Sequence, residues 1–214
     1  MDEILPGIWH WTTPNPRIGG TLVSSYWLDQ SGVLIDPLLS EEAGIEWLRS
    51  RPTPPQAVVL ANRHHYRDSG TVHEHFGCQV HVPNAGLHEF ADREHVVGYA
   101  AGDELPGGLQ PFVIGSLSPD EDGLFLESAA AIWVGDTIVR SPTDAGGRIG
   151  WVPDSLMDEP EQTKDGLLQA FGEVLDDYPF EHLLLAHGLP LVGNGREELQ
   201  RLLADGGRTA PDAF

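Results

Sequence analysis

The chain has 214 residues, 40% of them apolar, and a formal net charge of −21 at pH 7. Such an acidic surface repels nucleic acid phosphates and anionic lipid, and no apolar run reaches the ~18 residues of a membrane span. The single cysteine excludes an intrachain disulfide, and the acidic start MDEILPG lacks the basic residues of a secretory signal. We therefore expect a cytoplasmic protein, folded as one domain over residues 1–214, whose partner is a small molecule and neither nucleic acid nor membrane.

The first half of the chain alternates predicted strands with predicted helices. Apolar runs and alternating patterns predict strands at GIWHW, TLVSSYWL, GVLIDP, QAVVLAN and CQVHVP. The segment LSEEAGIEWLRS predicts a helix with Ser40 as its N-cap, because acidic residues follow the serine and Arg49 stands near the end. SGTVHEHFG predicts a second, shorter helix. This βαβ order indicates a layered α/β fold.

The second half repeats this style. Strands are predicted at LQPFVIGSL, DGLFLES, AAIWVGD and EHLLLAHG, and helices at EQTKDGLLQAFGEVLDDY and NGREELQRLLADGG. Between the strand AAIWVGD and the first of these helices, the loop 140–157 is rich in Gly, Pro and Asp. This loop is a candidate lid, with Gly146 and Gly147 giving it mobility. Trp151 in this loop is expected either to cover a substrate or to contact a second subunit in a homodimer.

Three apolar strands end abruptly in groups that can bind a metal. Leu60 leads into NRHHYRD, the strand AAIWVGD ends at Asp136, and LLLA leads into His187. Because strand ends in α/β folds aim their following residues into one crevice, these groups are expected to share a site. Histidine and aspartate are suitable ligands for zinc, iron or manganese.

These segments together resemble the metallo-β-lactamase superfamily over nearly the whole chain. The resemblance is carried by GVLIDP, the His-rich loop, DELPGGLQPFVI, WVGD and LLLAHGLPLVGNGREELQRLL. It implies an α/β fold that is a four-layer αββα sandwich. It also implies two metal ions, most often zinc, at the rim between two sheets. There the ions activate water for attack on an ester, thioester, amide or phosphodiester.

The His-rich loop departs from the family pattern, which is His-x-His-x-Asp-His-x-Gly. Aligned on the closing glycine, the resemblance places His65 on the second histidine and Asp68 on the last one. Arg63 and Arg67 stand in place of the first histidine and the aspartate, and a further histidine expected near Pro119 is missing. Arginine stays protonated and does not ligate metal, so two arginines oppose a two-metal site.

Besides this disfavoured two-metal site, two interpretations of the loop remain open. In the first, the loop binds one divalent metal ion, for which zinc is the leading candidate and iron and manganese are the others. The ligands are drawn from His65, Asp68, Asp136 and His187, and His64 could replace His65. In the second, no metal binds, and Arg63 and Arg67 replace the ions by pairing with acidic groups, Asp136 among them. That site either retains catalysis with a histidine as general base or serves only for binding or as a scaffold.

The leading functional hypothesis is a hydrolase-like protein with a one-metal or metal-free site. Its expected substrate is a small ester, thioester, lactone or phosphodiester. The catalytic residues are predicted to be Asp136, His65 and Arg67, and the substrate-binding residues to be Arg63, His64 and Trp151.

Overall fold

The described strands form two sheets that pack face to face. The computed structural model describes residues 1–141 and 147–207. The first sheet follows chain order, with antiparallel pairing from β1 to β4 and parallel pairing from β4 to β7. Its strands are β1 (Asp2–Leu5), β2 (Ile8–Asn15), β3 (Thr21–Leu28), β4 (Val33–Ile35), β5 (Ala57–Val59), β6 (Gln79–Pro83) and β7 (Val96–Tyr99).

The second sheet is built around one long central strand. Its members are β8 (Gln110–Val113), β9 (Asp122–Leu126), β10 (Ala131–Val139), β11 (Gly150–Trp151) and β12 (His182–His187). Strand β10 pairs antiparallel with β9 and β11 and parallel with β12. Its sequence AIWVGDTIV is buried except for the half-buried Asp136, which is the pattern of a strand covered on both faces.

Four helices cover the outer faces of the sheets in the described part of the chain. They are α1 (Ile45–Arg49), α2 (Ser69–Phe76), α3 (Pro160–Asp177) and α4 (Gly195–Ala204). Leu48 of α1 and Val72 of α2 belong to the apolar cluster on the first sheet, whereas Phe171 of α3 and Leu202 of α4 belong to the cluster on the second. The order of layers is therefore helix, sheet, sheet, helix, which confirms the predicted αββα sandwich.

The two sheets are joined by an apolar core and by the buried hydroxyl of Tyr26. The rings of Tyr26 in β3 and Trp133 in β10 meet edge to face, with centroids 5.9 Å apart. The Tyr26 hydroxyl donates to the carbonyl oxygen of Leu185 at 2.7 Å and accepts from the amide of the same residue at 3.0 Å. This pair of bonds fixes the first sheet against β12, the strand that ends at His187.

The first helix is shorter than predicted, and some short elements were not predicted. Helix α1 begins at Ile45 and not after Ser40, although the Ser40 hydroxyl accepts from the amide of Ala43, the bond that an N-cap serine makes. Strands β1, β7 and β11 were not predicted from the sequence. None of the helices in the described segments has both the length and the apolarity needed to cross a membrane.

Candidate metal centre

The loop after β5 presents His65 from a short 3-10 helix, Arg63–Tyr66. This helix begins with Asn62, whose side-chain oxygen accepts from the amide of His64 at 2.9 Å. Asparagine is a favoured residue for this capping role. His65 is only 3% exposed, whereas its neighbour His64 is exposed. The structure therefore selects His65, and not His64, as the buried histidine of the loop.

Asp136 and His187 are brought together by the pairing of β10 with β12. Val134 lies opposite Leu185, and after a shift in register Val139 lies opposite His187. The irregularity falls around Asp136, which lies inside β10 and not at its end as predicted, so its side chain and that of His187 converge where the regular pairing of the two strands is interrupted. This placement agrees with the expectation that the strand ends share one crevice.

The three side chains meet at a single carboxylate oxygen. Asp136 Oδ1 lies 3.0 Å from Nε2 of His65 and 2.8 Å from Nε2 of His187. The two imidazole rings are 5.8 Å apart between centroids. One possible ligand atom from each of the three residues lies within 4.8 Å of the others, and among the described residues this is the one such group of three or more.

A second carboxylate anchors the opposite side of the His65 ring. Asp36 Oδ2 lies 2.9 Å from Nδ1 of His65. Burial disfavours a charged imidazole, but the carboxylates of Asp36 and Asp136 outweigh this effect and raise the pKa of His65 to about 9. With no metal bound, His65 is therefore an imidazolium that donates one hydrogen bond to each carboxylate.

The charge of Asp136 is stabilised from several sides. Although burial opposes ionisation, His65 and His187 hold the pKa of Asp136 well below its usual range. Its other oxygen, Oδ2, accepts from Nδ2 of Asn62 at 3.0 Å. Asp136 is therefore ionised at neutral pH, as a metal ligand must be.

Glu121 supports this arrangement from behind. Its Oε1 accepts from the amides of Asp136 at 2.7 Å and Thr137 at 3.2 Å, and its Oε2 accepts from Asn62 Nδ2 at 2.8 Å. A Cβ at position 135 would lie 2.9 Å from Glu121 Oε1, so the glycine of the Gly-Asp pair makes room for this carboxylate. Burial and the nearby charge of Asp136 raise the pKa of Glu121 to about 8.

The donor set fits one divalent metal ion. Two imidazole nitrogens and one carboxylate oxygen are a ligand set used by catalytic zinc and by non-haem iron. A metal-binding histidine commonly donates its other ring N–H to a carboxylate, which fixes the tautomer and the ring orientation. Asp36 stands in that place behind His65.

Asp68 and Trp151 lie away from this group. The Asp68 carboxylate accepts from the amide of Leu39 at 2.8 Å, so its side chain stabilises a neighbouring loop and the predicted role as a ligand does not fit this placement. Trp151 is fully buried in the second sheet and stacks on Phe171 at 5.4 Å. It neither covers the crevice nor offers an exposed surface to a partner chain, contrary to both expectations. The residues before and after this strand, Ile149 and Val152, are apolar and buried as well. The Gly-rich sequence of the loop did not indicate this burial.

The metal-free interpretation supposed that Arg67 pairs with Asp136, but the side chain of Arg67 has other partners. Its Nη1 donates to the carbonyl oxygens of Ser24 at 2.8 Å and Asp36 at 2.7 Å. Arg67 has a positive φ of 39°, and Asp36 one of 48°, so each end of this contact has a strained backbone. Arg67 therefore acts as a clamp on the backbone of Asp36, and Asp136 is satisfied by the histidines and Asn62.

Arg63 faces a separate group of acids. Its guanidinium pairs with Asp120 through Nη1 and with Glu89 through Nε at 2.8 Å, and its amide donates to Asp120 Oδ2 at 2.9 Å. Interaction with Ser118 and Arg63 lowers the pKa of Asp120 in spite of the opposing effect of its burial. These contacts neutralise Arg63 and attach the 3-10 helix to the loop before β9.

The group opens into a crevice of about 980 Å³. Its lining includes polar groups from the loop after β5, from β10 and from the end of β12, together with apolar side chains. These residues are Asn15, Arg17, Ile18, Thr21, Asn62, Arg63, His64, Arg67, Leu117, Ser118, Pro119, Glu121, Asp136, Val152, Pro153, Ser155, Leu156, Asp158 and His187. Of the predicted lid, Gly146 lies outside the described residues, whereas Val152, Pro153, Ser155 and Leu156 do border the crevice.

Sequence reasoning missed three residues that hold the group in place, Asp36, Asn62 and Glu121. Asp36 and Asn62 each follow an apolar strand in the segments GVLIDP and VVLAN. The signal that pointed to Asp136 and His187, a polar residue directly after a buried strand, therefore also marked these two. Glu121 had no comparable signal, because its role depends on the missing side chain of Gly135.

Comparison with known proteins identifies the fold. No protein-family model matches the chain, and no curated protein matches its sequence. Among solved structures, a metallo-β-lactamase from Pontibacter korlensis shares 16% identity over 95% of this chain and 98% of its own, with a TM-score of 0.68. A metallo-β-lactamase family protein from Thermus thermophilus shares 17% over 95% and 80%, with a TM-score of 0.64. A metal-soaked Flv1 flavodiiron core from Synechocystis shares 15% over 96% and 60%, with a TM-score of 0.67. Likenesses at these identities establish the architecture of the chain and leave its chemistry to be argued from the site.

Proposed function

We propose that this chain, which has the metallo-β-lactamase fold, is a hydrolase-like protein with a one-metal site at His65, Asp136 and His187. The observation that carries the proposal is the convergence of two Nε2 atoms on Asp136 Oδ1, at 3.0 and 2.8 Å. The proposed substrate is a small ester, thioester, lactone or phosphodiester, which the crevice of about 980 Å³ can accept.

Each residue of the group has a distinct role in this proposal. When bound, the ion would supply Lewis acidity and lower the pKa of a water in its coordination sphere. Asp36 holds Nδ1–H of His65, so that Nε2 is the nitrogen available for ligation. Asn62 and Glu121 hold the carboxylate and backbone of Asp136 in place. His64, exposed on the crevice wall, is positioned to contact a substrate.

The names of the structural neighbours support metal chemistry on this fold. Two of the three are metallo-β-lactamases or members of that family, and the third is a flavodiiron core that was soaked with metal. Zinc and iron both accept a donor set of two imidazoles and one carboxylate, and manganese remains a third candidate.

Elemental analysis of protein purified without added metal tests the proposal. We expect about one equivalent of transition metal per chain, and its loss in the variants Asp136→Ala and His187→Ala. His64→Ala is the matched control, because this exposed histidine adjoins His65 but lies outside the group. Absence of metal in the wild type, with no uptake of zinc, iron(II) or manganese on titration, would rule out the one-metal site.

A metal-free binding protein is the second candidate, and one observation favours it. The imidazolium of His65 donates to Asp36 at 2.9 Å and to Asp136 at 3.0 Å, so the group is internally hydrogen-bonded without an ion. The positive charges of His65 and Arg67 then balance the negative charges of the two aspartates. For this candidate we expect no metal and no turnover on a panel of lactones, thioesters, phosphodiesters and β-lactams. Turnover that persists with chelator present would instead support a metal-free enzyme.

A further inference from the structure

Arg67 is a buried guanidinium with hydrogen-bond donors to spare. The residue is only 7% exposed. Both of its hydrogen bonds in the described part of the chain come from Nη1 and go to backbone carbonyls. Its Nε is buried and has no hydrogen-bond partner among the described residues. A buried N–H without a partner costs about 1–3 kcal/mol, more when it is charged, and such groups usually have an explanation.

The location of Arg67 indicates what its unused donors could bind. Arg67 lines the same crevice as Asp136 and His187, and so does Arg17 at the exposed turn between β2 and β3. Arg17 makes no ion pair with any described residue, whereas Arg63 on the same crevice is neutralised by Asp120 and Glu89. Asp36, Asp136 and Asp68 lie near enough to interact with the charge of Arg67, but neither Arg67 nor Arg17 forms an ion pair with a described carboxylate, so both keep hydrogen-bond donors for an anionic ligand.

We propose that Arg67 and Arg17 form an oxyanion subsite that binds a carboxylate or phosphate group of the substrate beside the His65, Asp136 and His187 group. Guanidinium N–H donors form strong, charge-assisted hydrogen bonds with both kinds of oxyanion. A bound oxyanion would accept from the part of the Arg67 guanidinium that lines the crevice, and the buried Nε–H of the same group would report the nearby charge.

The apolar part of the crevice lining indicates what the rest of the substrate is. Ile18 and Leu156 belong to it and are 45% and 59% exposed, large values for apolar side chains. Leu117 and Val152 belong to it too. A ligand with an oxyanion at one end and an apolar body would match both the arginines and this apolar lining. The expected substrates are therefore phosphodiesters, or esters, thioesters and lactones that carry a negative charge and an apolar part. This choice of substrate class rests on the proposed function.

Binding of simple oxyanions can be measured without turnover. We would titrate the ¹⁵N-labelled wild-type chain with inorganic phosphate in one series and acetate in another, at constant ionic strength set with chloride. The side-chain Nε–H resonance of Arg67, assigned by through-bond correlation from its own backbone, reports on the subsite directly. We expect a saturable shift of this resonance and of crevice amides in at least one series. The anion that saturates at lower concentration identifies the head group.

Two variants and a control locate the binding. Arg67→Gln is expected to weaken it by about ten- to hundredfold, as for loss of a hydrogen bond to a charged group, and Arg17→Gln by several-fold. Arg201→Gln is the matched control, because this exposed arginine of α4 pairs with Glu197 and Glu198 away from the crevice. If Arg67→Gln fails to fold, the Nε–H titration of the wild type and the Arg17→Gln variant still decide the question.

The inference is overturned if neither anion shifts the Arg67 Nε–H resonance, or if binding is unchanged in both crevice variants. Metal content is measured on the same preparations. If the protein binds an oxyanion but contains no metal, the subsite is supported and the proposed hydrolase is rejected. If it contains metal but binds neither anion, the hydrolase is supported and the subsite is rejected.

Discussion

Replacing Asp36 by asparagine tests whether this carboxylate orients His65 for metal binding. Asp36 Oδ1 accepts from the amide of Ala61 at 3.0 Å, and its Oδ2 faces Nδ1 of His65 at 2.9 Å. In Asp36→Asn the Ala61 amide keeps the side-chain oxygen in place, and the new NH₂ group faces His65. Nδ1 must then accept, so the ring proton moves to Nε2, the atom that would ligate the ion. Asparagine also tolerates the positive φ of 48° at this position.

The expected loss follows from the role of such outer carboxylates. Their removal weakens metal binding by about 10- to 100-fold, which corresponds to ~1.4–2.7 kcal/mol. The assay is a zinc titration in competition with a chromophoric chelator, with the ring tautomer of His65 followed by long-range ¹H–¹⁵N NMR. Asp68→Asn is the matched control, because its carboxylate accepts from Leu39 and lies outside the group. We expect zinc affinity within about twofold of the wild type for this control.

Two results would refute this reasoning. Unchanged zinc affinity in Asp36→Asn would show that Asp36 does not set the orientation of His65. Equal losses in both variants would show that negative charge near the loop matters, and not the specific contact with Nδ1.

Three further predictions concern stability and the end of β12. Burial, with a smaller contribution from Asp120, raises the pKa of Asp122 from 3.8 to about 7. As the pH rises, the unfolded chain therefore loses this proton before the folded chain does, and the wild type becomes less stable. The free energy of unfolding of Asp122→Asn relative to wild type, measured by chemical denaturation, should therefore increase by up to ~4 kcal/mol from pH 4 to pH 8. A constant difference would contradict this. Trp151→Ala should cost ~3–5 kcal/mol of unfolding free energy, whereas Leu156→Ala, at an exposed site, should change it by less than ~0.5 kcal/mol; similar small losses would place Trp151 outside the core. Gly188 has φ +119°, and a Cβ there would lie 2.4 Å from a backbone oxygen, so Gly188→Ala should lower both thermal stability and zinc affinity; wild-type affinity in this variant would show that the turn does not position His187.

The sequence was sufficient to predict most elements and the three central residues of the site. Apolar runs marked β3, β10 and β12, and in each of the last two a polar group marks the point where the strand meets the crevice. The loop after Leu60, Asp136 and His187 were marked because a strand constrains where its following residues point, whereas His65 was placed on a ligand position of that loop by the resemblance to the family pattern. The prediction of one domain over residues 1–214 stays a prediction.

The contacts that decide side-chain direction were beyond the sequence. Arg67 was expected to face Asp136, but its positive φ turns the side chain toward the carbonyl oxygens of Ser24 and Asp36. Asp68, the next residue in the loop, was turned toward Leu39 by the same local geometry. Backbone conformation at single loop residues depends on tertiary contacts, and the identity of the residue does not encode it.

The clamp formed by Arg67 has a consequence for how this loop can change through evolution or engineering. Replacing Arg67 by the aspartate of the metallo-β-lactamase pattern would remove the charged donor to the carbonyl oxygens of Ser24 and Asp36. The second oxygen keeps its bond from the Ser25 hydroxyl, and an acceptor left without any donor would cost about 1–3 kcal/mol. It would also add a carboxylate beside Asp36 and Asp136, with no second cation until an ion arrives. This single substitution is thus disfavoured on both counts, and building a dinuclear site on this loop would require coordinated substitution of Arg67 and of the backbone around Asp36. The clamp therefore constrains the residue at position 67 through the shape of the loop, independently of any role in binding.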